Sequence, residues 1–138
     1  MGFLIDTCIW VDVERGDISP RDVSRYTGSE AVYISPVTIA ELTYGAEITA
    51  DENIRQKRMA AIARLQKKPM LRIDEITGTI FGRIAALLTR QGRGADFRVQ
   101  DIWMASQCIQ HNCGMLTSNR KDFSDIPGLD LVIFGEQI

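Results

Sequence analysis

Residues 2–7, GFLIDT, are a short apolar run that ends in an acid, and they set the pattern for the whole 138-residue chain. A run of this length, flanked by polar residues, predicts a buried strand. The acid is Asp6, and the residues after it, 8 to about 14, predict a helix that stops near Gly16. A strand followed at once by a helix is typical of a β-α-β unit, in which Asp6 lies at the carboxyl end of the strand.

The same alternation continues along the chain. Short apolar runs predict further strands, and capped or amphipathic stretches between them predict helices. The predicted strands cover residues 2–5, 31–34, 70–73, 114–117 and 129–133. The predicted helices after the first cover residues 36–46, 51–68, 74–92 and 99–112. Such alternation requires right-handed crossovers, so we expect an α/β fold: a three-layer α/β/α sandwich with a mainly parallel sheet of four to five strands.

Length and composition indicate an ordinary globular protein. The chain fits one domain, residues 1–138, and is 45% hydrophobic and 25% charged. The apolar runs are too short to span a membrane, and the N-terminus lacks a signal-peptide pattern. The three cysteines form neither a CxxC pair nor an even framework, which is typical of reduced thiols. We therefore expect a soluble cytoplasmic protein without membrane contact.

Charge is distributed unevenly along the chain. Residues 51–72 carry seven basic and two acidic side chains, whereas residues 1–50 carry three basic and eight acidic ones. A solvated helix face explains such a basic stretch, and contact with the phosphate backbone of a nucleic acid is the alternative. The candidate backbone contacts, including two from later in the chain, are Arg55, Arg58, Lys67, Lys68, Arg93 and Arg120.

Three carboxylates lie in apolar surroundings. Asp6 ends the first strand, Glu41 falls in the second turn of a helix that begins at Ser35-Pro36, and Asp101 opens a largely apolar helix. Burial of an unpaired carboxylate is costly, and clustered carboxylates repel one another unless a cation joins them. Because ligands bind beyond the carboxyl ends of parallel strands, the pattern predicts a metal site at that edge of the sheet.

Each carboxylate also has a purely structural explanation. Asp6 is a common type of helix N-cap, and Glu41 with Thr38 matches the capping-box spacing. Asp101 is an acid in the first turn of its helix, where the helix dipole favours negative charge. The stronger helix start at Ser35-Pro36 argues against the capping box, and the inward face predicted for Asp101 argues against a purely electrostatic role.

Four pieces of the chain, in order and spacing, carry a family resemblance. They are FLIDTC (3–8), SPVTIAELTYG (35–45), DIWMA (101–105) and LTSNRKDF (116–123), the last followed by IPGL (126–129). Together they resemble the PIN-domain ribonucleases, particularly the VapC-type toxins of bacterial toxin–antitoxin pairs. The resemblance implies that the catalytic residues are Asp6, Glu41, Asp101 and Asn119, with Asp122 as a possible fourth acid in place of Asn119.

The resemblance also implies roles within the site. Asp6 and Asp101 are the expected metal ligands, Glu41 holds a second metal or positions the attacking water, and Asn119 supports them. Thr7, whose hydroxyl is the short polar group nearest Asp6, is a candidate supporting residue, with helix capping as the alternative. The family often has Asn or Ser where this chain has Cys8.

Carboxylates with open coordination positions suit Mg²⁺ or Mn²⁺. By resemblance, the chain is expected to be a metal-dependent endoribonuclease that hydrolyses phosphodiester bonds in tRNA or another structured RNA. The same resemblance implies a cognate VapB-type antitoxin, a homodimer and a toxin–antitoxin hetero-oligomer. Other chemistries lack parts: the single histidine, His111, lies near a helix end, and no Walker A or dinucleotide-binding glycine pattern is present.

Two alternatives belong to other functional classes. The first is a catalytically silent PIN-fold module that only binds a partner. The second is a phosphoreceiver-like domain, which needs an acid after the third strand and a lysine after a later one. Asp74 meets the first requirement, but Thr117, Ser118 and Asn119 follow the fourth strand before any basic residue.

Overall fold

The structure, a computed structural model, describes residues 1–94 and 98–136 and contains a four-stranded parallel sheet. The strands are β1 (Phe3–Ile5), β2 (Val32–Tyr33), β3 (Gly114–Thr117) and β4 (Asp130–Ile133), in the order β2-β1-β3-β4. The two central strands, β1 and β3, are buried along their whole length. Parallel strands buried on both faces need helices on both sides, and the predicted α/β class is confirmed.

Seven helices surround the sheet in the described part of the chain. They are α1 (Thr7–Arg15), α2 (Pro20–Thr27), α3 (Pro36–Ile48), α4 (Glu52–Leu65), α5 (Glu75–Arg90), α6 (Val99–His111) and α7 (Arg120–Phe123). Successive residues of β1 point to opposite faces of the sheet. Leu4 joins a core with α5 and α6, whereas Phe3 and Ile5 join a core with α1 and α2. The sheet therefore lies between two separate helical layers.

The strand predicted at residues 70–73 is wrong. Only Met70 pairs, in a single parallel bridge with Ile34 of the chain after β2. The bridge is supported by backbone hydrogen bonds from Ile34 N to Pro69 O at 3.0 Å and from Leu71 N to Ile34 O at 2.9 Å. Arg72 and Ile73 are exposed, and Asp74 then caps α5. The chain thus touches the edge of the sheet briefly because the start of α5 carries it away.

Helix α2 was not predicted, although its signal is present in the sequence. Ser19 Oγ accepts a hydrogen bond from Asp22 N at 3.2 Å, and the Asp22 carboxylate accepts one from Ser19 N at 2.9 Å. Pro20 occupies the first helical position. This reciprocal capping box, with proline just inside it, is a recognised helix start.

Helix α4 is shorter and less regular than expected. It ends at Leu65 rather than at residue 68, and Ile54, expected on its apolar stripe, is 41% exposed. Ile62 and Leu65 are buried as expected. The buried apolar stripe of α4 is therefore narrower than predicted. None of the helices in the described ranges is long and apolar enough to cross a membrane.

Candidate active site

The carboxyl ends of β1 and β3 meet at one edge of the sheet, where the polar side chains surround a cleft of about 470 Å³. One side of α1 along its whole length, the first turns of α6 and α7 and the second turn of α3 complete its walls. The lining residues are Asp6, Thr7, Cys8, Val11, Asp12, Arg15, Glu41, Asp101, Asn119 and Asp122. The structure therefore brings together every predicted catalytic position, including both candidates for the fourth.

Asp6 is held by side-chain donors rather than used as a helix cap. It occupies the residue before α1, yet its side chain makes no capping hydrogen bond. Its Oδ2 accepts hydrogen bonds from Thr117 Oγ1 at 2.7 Å and from Cys8 Sγ at 3.2 Å. Burial raises the pKa of Asp6, which is only 4% exposed, and these hydrogen bonds oppose the rise. The structural explanation by capping is thereby excluded.

Thr117, the last residue of β3, connects two parts of the cleft and was not predicted. Its buried hydroxyl donates to Asp6 and accepts a hydrogen bond from Asn119 N at 3.0 Å. Since the single hydroxyl proton is used on Asp6, the orientation of the hydroxyl is defined. The only sequence signal was its place at the end of an apolar strand, which is equally typical of an ordinary β residue.

Glu41 faces the cleft from α3 and is supported by a pair of hydroxyl groups. Its Oε1 accepts a hydrogen bond from Thr7 Oγ1 at 2.8 Å, and Thr7 Oγ1 lies 2.9 Å from Thr38 Oγ1. Because Thr7 donates its proton to Glu41, Thr38 is the donor of the second bond. The capping-box explanation fails, since Ser35 caps α3 by accepting from Val37 N and Thr38 lies inside the helix.

Glu41 lies on a solvent-exposed part of α3. The Glu41 side chain is exposed, and Tyr44, one helical turn further on, is 67% exposed. Partial burial nevertheless raises the pKa of Glu41, and the charge of Asp6 adds to the rise. Glu41 is therefore a solvent-reaching acid with one oxygen fixed by Thr7.

Asp101 lies in the first turn of α6, on the face that continues inward through Ala105 and Cys108, as predicted. Burial and the charges of Asp6, Asp122 and Glu41 together raise its pKa from the ordinary 3.8 to about 7, although the charge of Arg98 opposes the rise. Within the described residues, no hydrogen bond to the Asp101 carboxylate adds to that opposing effect. Its negative charge is thus poorly compensated, which is the situation that a bound cation would relieve.

Both candidates for the fourth polar position line the cleft, but they contribute differently. Asn119 is exposed and donates its backbone N–H to Thr117. Asp122 lies on α7, and its charge raises the pKa of both Asp6 and Asp101. The acidic character of this wall therefore comes from Asp122.

Two further charged residues of the cleft were missed, Asp12 and Arg15, both on α1. Asp12 lies one helical turn after Cys8, and this spacing on the first helix was the available signal. Arg15 brings a positive charge to the rim of an otherwise acidic cleft. A guanidinium in this position suits a phosphate oxygen of a bound polyanion.

The predicted backbone-contact residues lie outside the cleft, and most have acidic partners. Arg55 pairs with Glu47 at 3.1 Å, and Arg93 with Asp125 at 3.3 Å. The remaining contacts are Arg58 to Glu14 and Gly45 O, Arg120 to Glu136, and Lys68 over the ring of Trp10. Pairing leaves less net charge for RNA than the sequence alone indicates, and the role of these residues stays a prediction.

The donor set of the cleft fits a hard divalent cation. Its acids and Asn119 present oxygen ligands, as Mg²⁺ and Mn²⁺ prefer. Within residues 1–94 and 98–136, however, no three His, Cys, Asp or Glu side chains lie close enough to hold an ion together. Mg²⁺ commonly uses one or two carboxylates and keeps several waters, so the two predicted ligands, Asp6 and Asp101, would be a sufficient protein contribution.

Comparisons with known proteins agree with this geometry. The chain matches the PIN domain family over residues 3–129. It is 33% identical over 135 residues to the Ribonuclease VapC1 of Rickettsia felis, covering 96% of each chain. It is 30% identical over 133 residues to the Ribonuclease VapC of Rickettsia bellii, again covering 96% of each.

Solved structures share the fold at lower sequence identity. VapBC2 from Rickettsia felis, bound to a DNA fragment from its promoter, matches with a TM-score of 0.83 and 20% identity, over 96% of this chain and 98% of that one. VapBC-1 from nontypeable Haemophilus influenzae matches with a TM-score of 0.82 and 23% identity, over 99% and 100%. With the family match over nearly its whole length, the chain belongs to the PIN domain family and, within it, to the VapC ribonucleases.

Proposed function

We propose that this protein is a metal-dependent endoribonuclease that hydrolyses RNA phosphodiester bonds, with residues 1–138 acting as one nuclease domain. The observation that carries the proposal is the acidic cleft at the ends of β1 and β3. The position of this cleft matches the ligand site of parallel α/β sheets, and the protein belongs to a family of ribonucleases. The substrate class we infer is tRNA or another structured RNA.

The cleft residues divide the work of the reaction. Asp6 and Asp101 would hold Mg²⁺ or Mn²⁺, which supplies an acidified water and neutralises charge on the phosphoryl group. Asp6 offers Oδ1, since its Oδ2 is occupied by Thr117 and Cys8. Glu41, held by Thr7, positions the attacking water and accepts its proton, and its raised pKa favours that step.

The rim of the cleft provides the contacts to RNA. Arg15 lies at the cleft itself and would bind the phosphate next to the scissile bond. Lys67 and Lys68 follow α4 and are exposed, so they suit more distant phosphates of the same strand. Binding of this kind depends on salt and carries little sequence information, so selectivity must come from the shape of the RNA.

The direct test is cleavage of total cellular RNA by the purified chain with Mg²⁺ or Mn²⁺, with mapping of the new ends by sequencing. The variants are Asp6→Asn and, as a matched control, Asp17→Asn, an exposed aspartate outside the cleft. Discrete cuts that disappear with EDTA and in Asp6→Asn, but not in Asp17→Asn, support the proposal. Identical patterns from folded wild type and Asp6→Asn would instead favour the catalytically silent, partner-binding alternative.

We further propose that a VapB-type antitoxin neutralises the protein by covering the cleft. A groove of about 310 Å³ continues from it along α1, α3 and α4, and shares Thr7 and Glu41 with the cleft. Apolar residues of the groove, including Trp10 and Leu42, suit an amphipathic segment, and the acids suit a basic side chain. Several solved structures similar to this chain are VapBC complexes.

Co-expression with a VapB-type antitoxin tests this proposal. We expect a stable complex in gel filtration that no longer cleaves RNA, and loss of both effects in Leu42→Glu, which places a charge in the groove. Met59→Glu, exposed on α4 and outside the groove, is the matched control. Separate elution of the two wild-type proteins, with cleavage unchanged, contradicts the proposal.

Self-association is also proposed, as a homodimer within that hetero-oligomer. Large apolar side chains are exposed on α3 and α5: Tyr44 is 67% exposed, Ile48 64% and Ile76 55%. Exposed apolar residues of this size often mark association surfaces. Light scattering of the wild type and of a Tyr44→Lys variant checks the proposal, which predicts a monomer only for the variant.

A further inference from the structure

Arg98 and Asp125 form a two-pronged ion pair between the start of α6 and the end of α7. Arg98 Nη1 donates to Asp125 Oδ2 at 2.8 Å, and Nη2 donates to Oδ1 at 2.7 Å. The side chains are only 15% and 11% exposed, respectively. This parallel arrangement defines the orientation of both groups and is less screened by solvent than a surface pair.

The pair connects the two segments that carry Asp101 and Asp122, two of the acids that line the cleft. Arg98 directly precedes α6, one turn before Asp101, and Asp125 follows α7, one turn after Asp122. Nη2 of Arg98 also donates to the backbone carbonyl of Asp122. One guanidinium therefore contacts both the side chain and the backbone of the segment that presents Asp122.

Helix α7 depends on such contacts for its position. It has four residues, and a helix of one turn is not stable alone in water. Phe123 anchors it in the core, where this side chain is 1% exposed. Arg120 pairs with Glu136 at the start of the helix, and the contact between Arg98 and the carbonyl of Asp122 adds a second fixed point near its end.

We propose that Arg98 and Asp125 are positioning residues that set the separation of Asp101 and Asp122, and thereby the affinity of the cleft for a divalent cation. The inference rests on the proposed function of the cleft as a metal site. Asp101 and Asp122 repel each other, so without a rigid connection they would separate until water screens them. The Arg98–Asp125 pair, which we call the clamp, holds the two acids at a fixed separation. A cation then binds without the further entropic cost of ordering their side chains.

Mg²⁺ binding to the free protein, measured by calorimetry without RNA, tests the clamp. Arg98→Met removes the ion pair. Arg98→Lys keeps the positive charge but loses the two parallel hydrogen bonds of the guanidinium, and Asp125→Asn removes the negative charge of the partner. We expect each variant to bind Mg²⁺ about tenfold more weakly than wild type, as for other residues that orient metal ligands. Glu47→Gln, which breaks the exposed pair with Arg55 outside the cleft, is the matched control and should leave the affinity unchanged.

Stability and affinity must be recorded together, because loss of the pair also lowers the melting temperature. Wild-type affinity in folded Asp125→Asn or Arg98→Lys overturns the proposal and leaves a purely structural ion pair. These two variants serve if Arg98→Met does not fold. A wild type that binds no Mg²⁺ overturns the proposal too, whereas a wild type that binds Mg²⁺ but cleaves no RNA refutes only the proposed nuclease function.

Discussion

Asp6 and Asp101 line the same cleft but are held in opposite ways. Asp6 is 4% exposed and accepts hydrogen bonds from Thr117 and Cys8, so its orientation is defined before any ligand binds. Asp101 has a pKa of about 7 because burial and neighbouring acids outweigh the charge of Arg98, and no hydrogen bond within the described residues opposes them. One acid is therefore positioned by the protein, and the charge of the other depends on a cation. This difference separates positioning from charge compensation within one site.

The largest expected effect is on cleavage. Asp6→Asn and Asp101→Asn should each lower the rate of RNA cleavage at least 100-fold, since loss of one ligand removes about 3 kcal/mol of transition-state stabilisation. Gel-based initial rates at saturating Mg²⁺ give the values. Retention of more than about a tenth of the wild-type rate in either variant would exclude that acid from the metal site.

The free energy of unfolding should distinguish Asp6→Asn from Asp101→Asn, although both variants lose cleavage. In metal-free protein at about pH 8, Asp101→Asn should raise the free energy of unfolding by about 1 kcal/mol, since it removes a repelled charge. Asp6→Asn should raise it by less, since the hydrogen bonds from Thr117 and Cys8 that favour the carboxylate offset part of the cost of its burial. Urea denaturation with EDTA measures both. Equal changes would show that the two acids are held alike.

Thr117→Val tests whether Asp6 is positioned by its donor. The isosteric change removes the hydroxyl and leaves a buried carboxylate oxygen with the thiol of Cys8 as its side-chain donor, at a cost of about 2 kcal/mol of stability. It also frees Asn119 N, so both Mg²⁺ affinity and cleavage should fall. Thr117→Ser restores the hydroxyl and should recover them. Equal Mg²⁺ affinity in all three proteins would contradict a positioning role.

The pH dependence should follow Asp101. Its folded-state pKa lies above the ordinary 3.8, so the folded protein holds this proton more tightly than the unfolded chain. The corresponding stability is present below about pH 4 and is lost as pH rises towards 7. Mg²⁺ restores it where the carboxylate is charged. We expect saturating Mg²⁺ to raise the melting temperature about 3 °C more at pH 8 than at pH 6, and Asp101→Asn to abolish that difference.

The acid positions were predictable because each follows a local pattern. Asp6 ends an apolar strand, and Glu41 and Asp101 lie at fixed places in helices whose starts or faces are evident in the sequence. The parallel sheet then brings them together at the edge where its strands end. Their shared location in the cleft follows from periodicity and topology without any knowledge of side-chain contacts.

The contacts that hold these acids were not predictable in the same way. Thr117 and Thr38 are buried threonines, and sequence alone does not distinguish a hydroxyl that binds a carboxylate from one that packs in a strand or helix. The Arg98–Asp125 pair joins residues 27 positions apart through a tertiary contact with no local signature. The prediction of a strand at 70–73 was wrong for a related reason, since pairing at the edge of the sheet depends on the length of the neighbouring strand, here the short β2.

The smallest expected effect belongs to Cys8, the second donor to Asp6. Its thiol lies 3.2 Å from Asp6 Oδ2 and 3.2 Å from Ser118 Oγ, and a thiol is a weak donor. Cys8→Ser supplies a stronger donor on a shorter side chain, so gain and loss nearly cancel, and stability and cleavage should change by less than about 0.5 kcal/mol. A tenfold fall in cleavage would mean that the thiol, rather than Thr117, orients Asp6. Near-equality, beside a large effect of Thr117→Val, would assign the positioning of Asp6 to the end of β3.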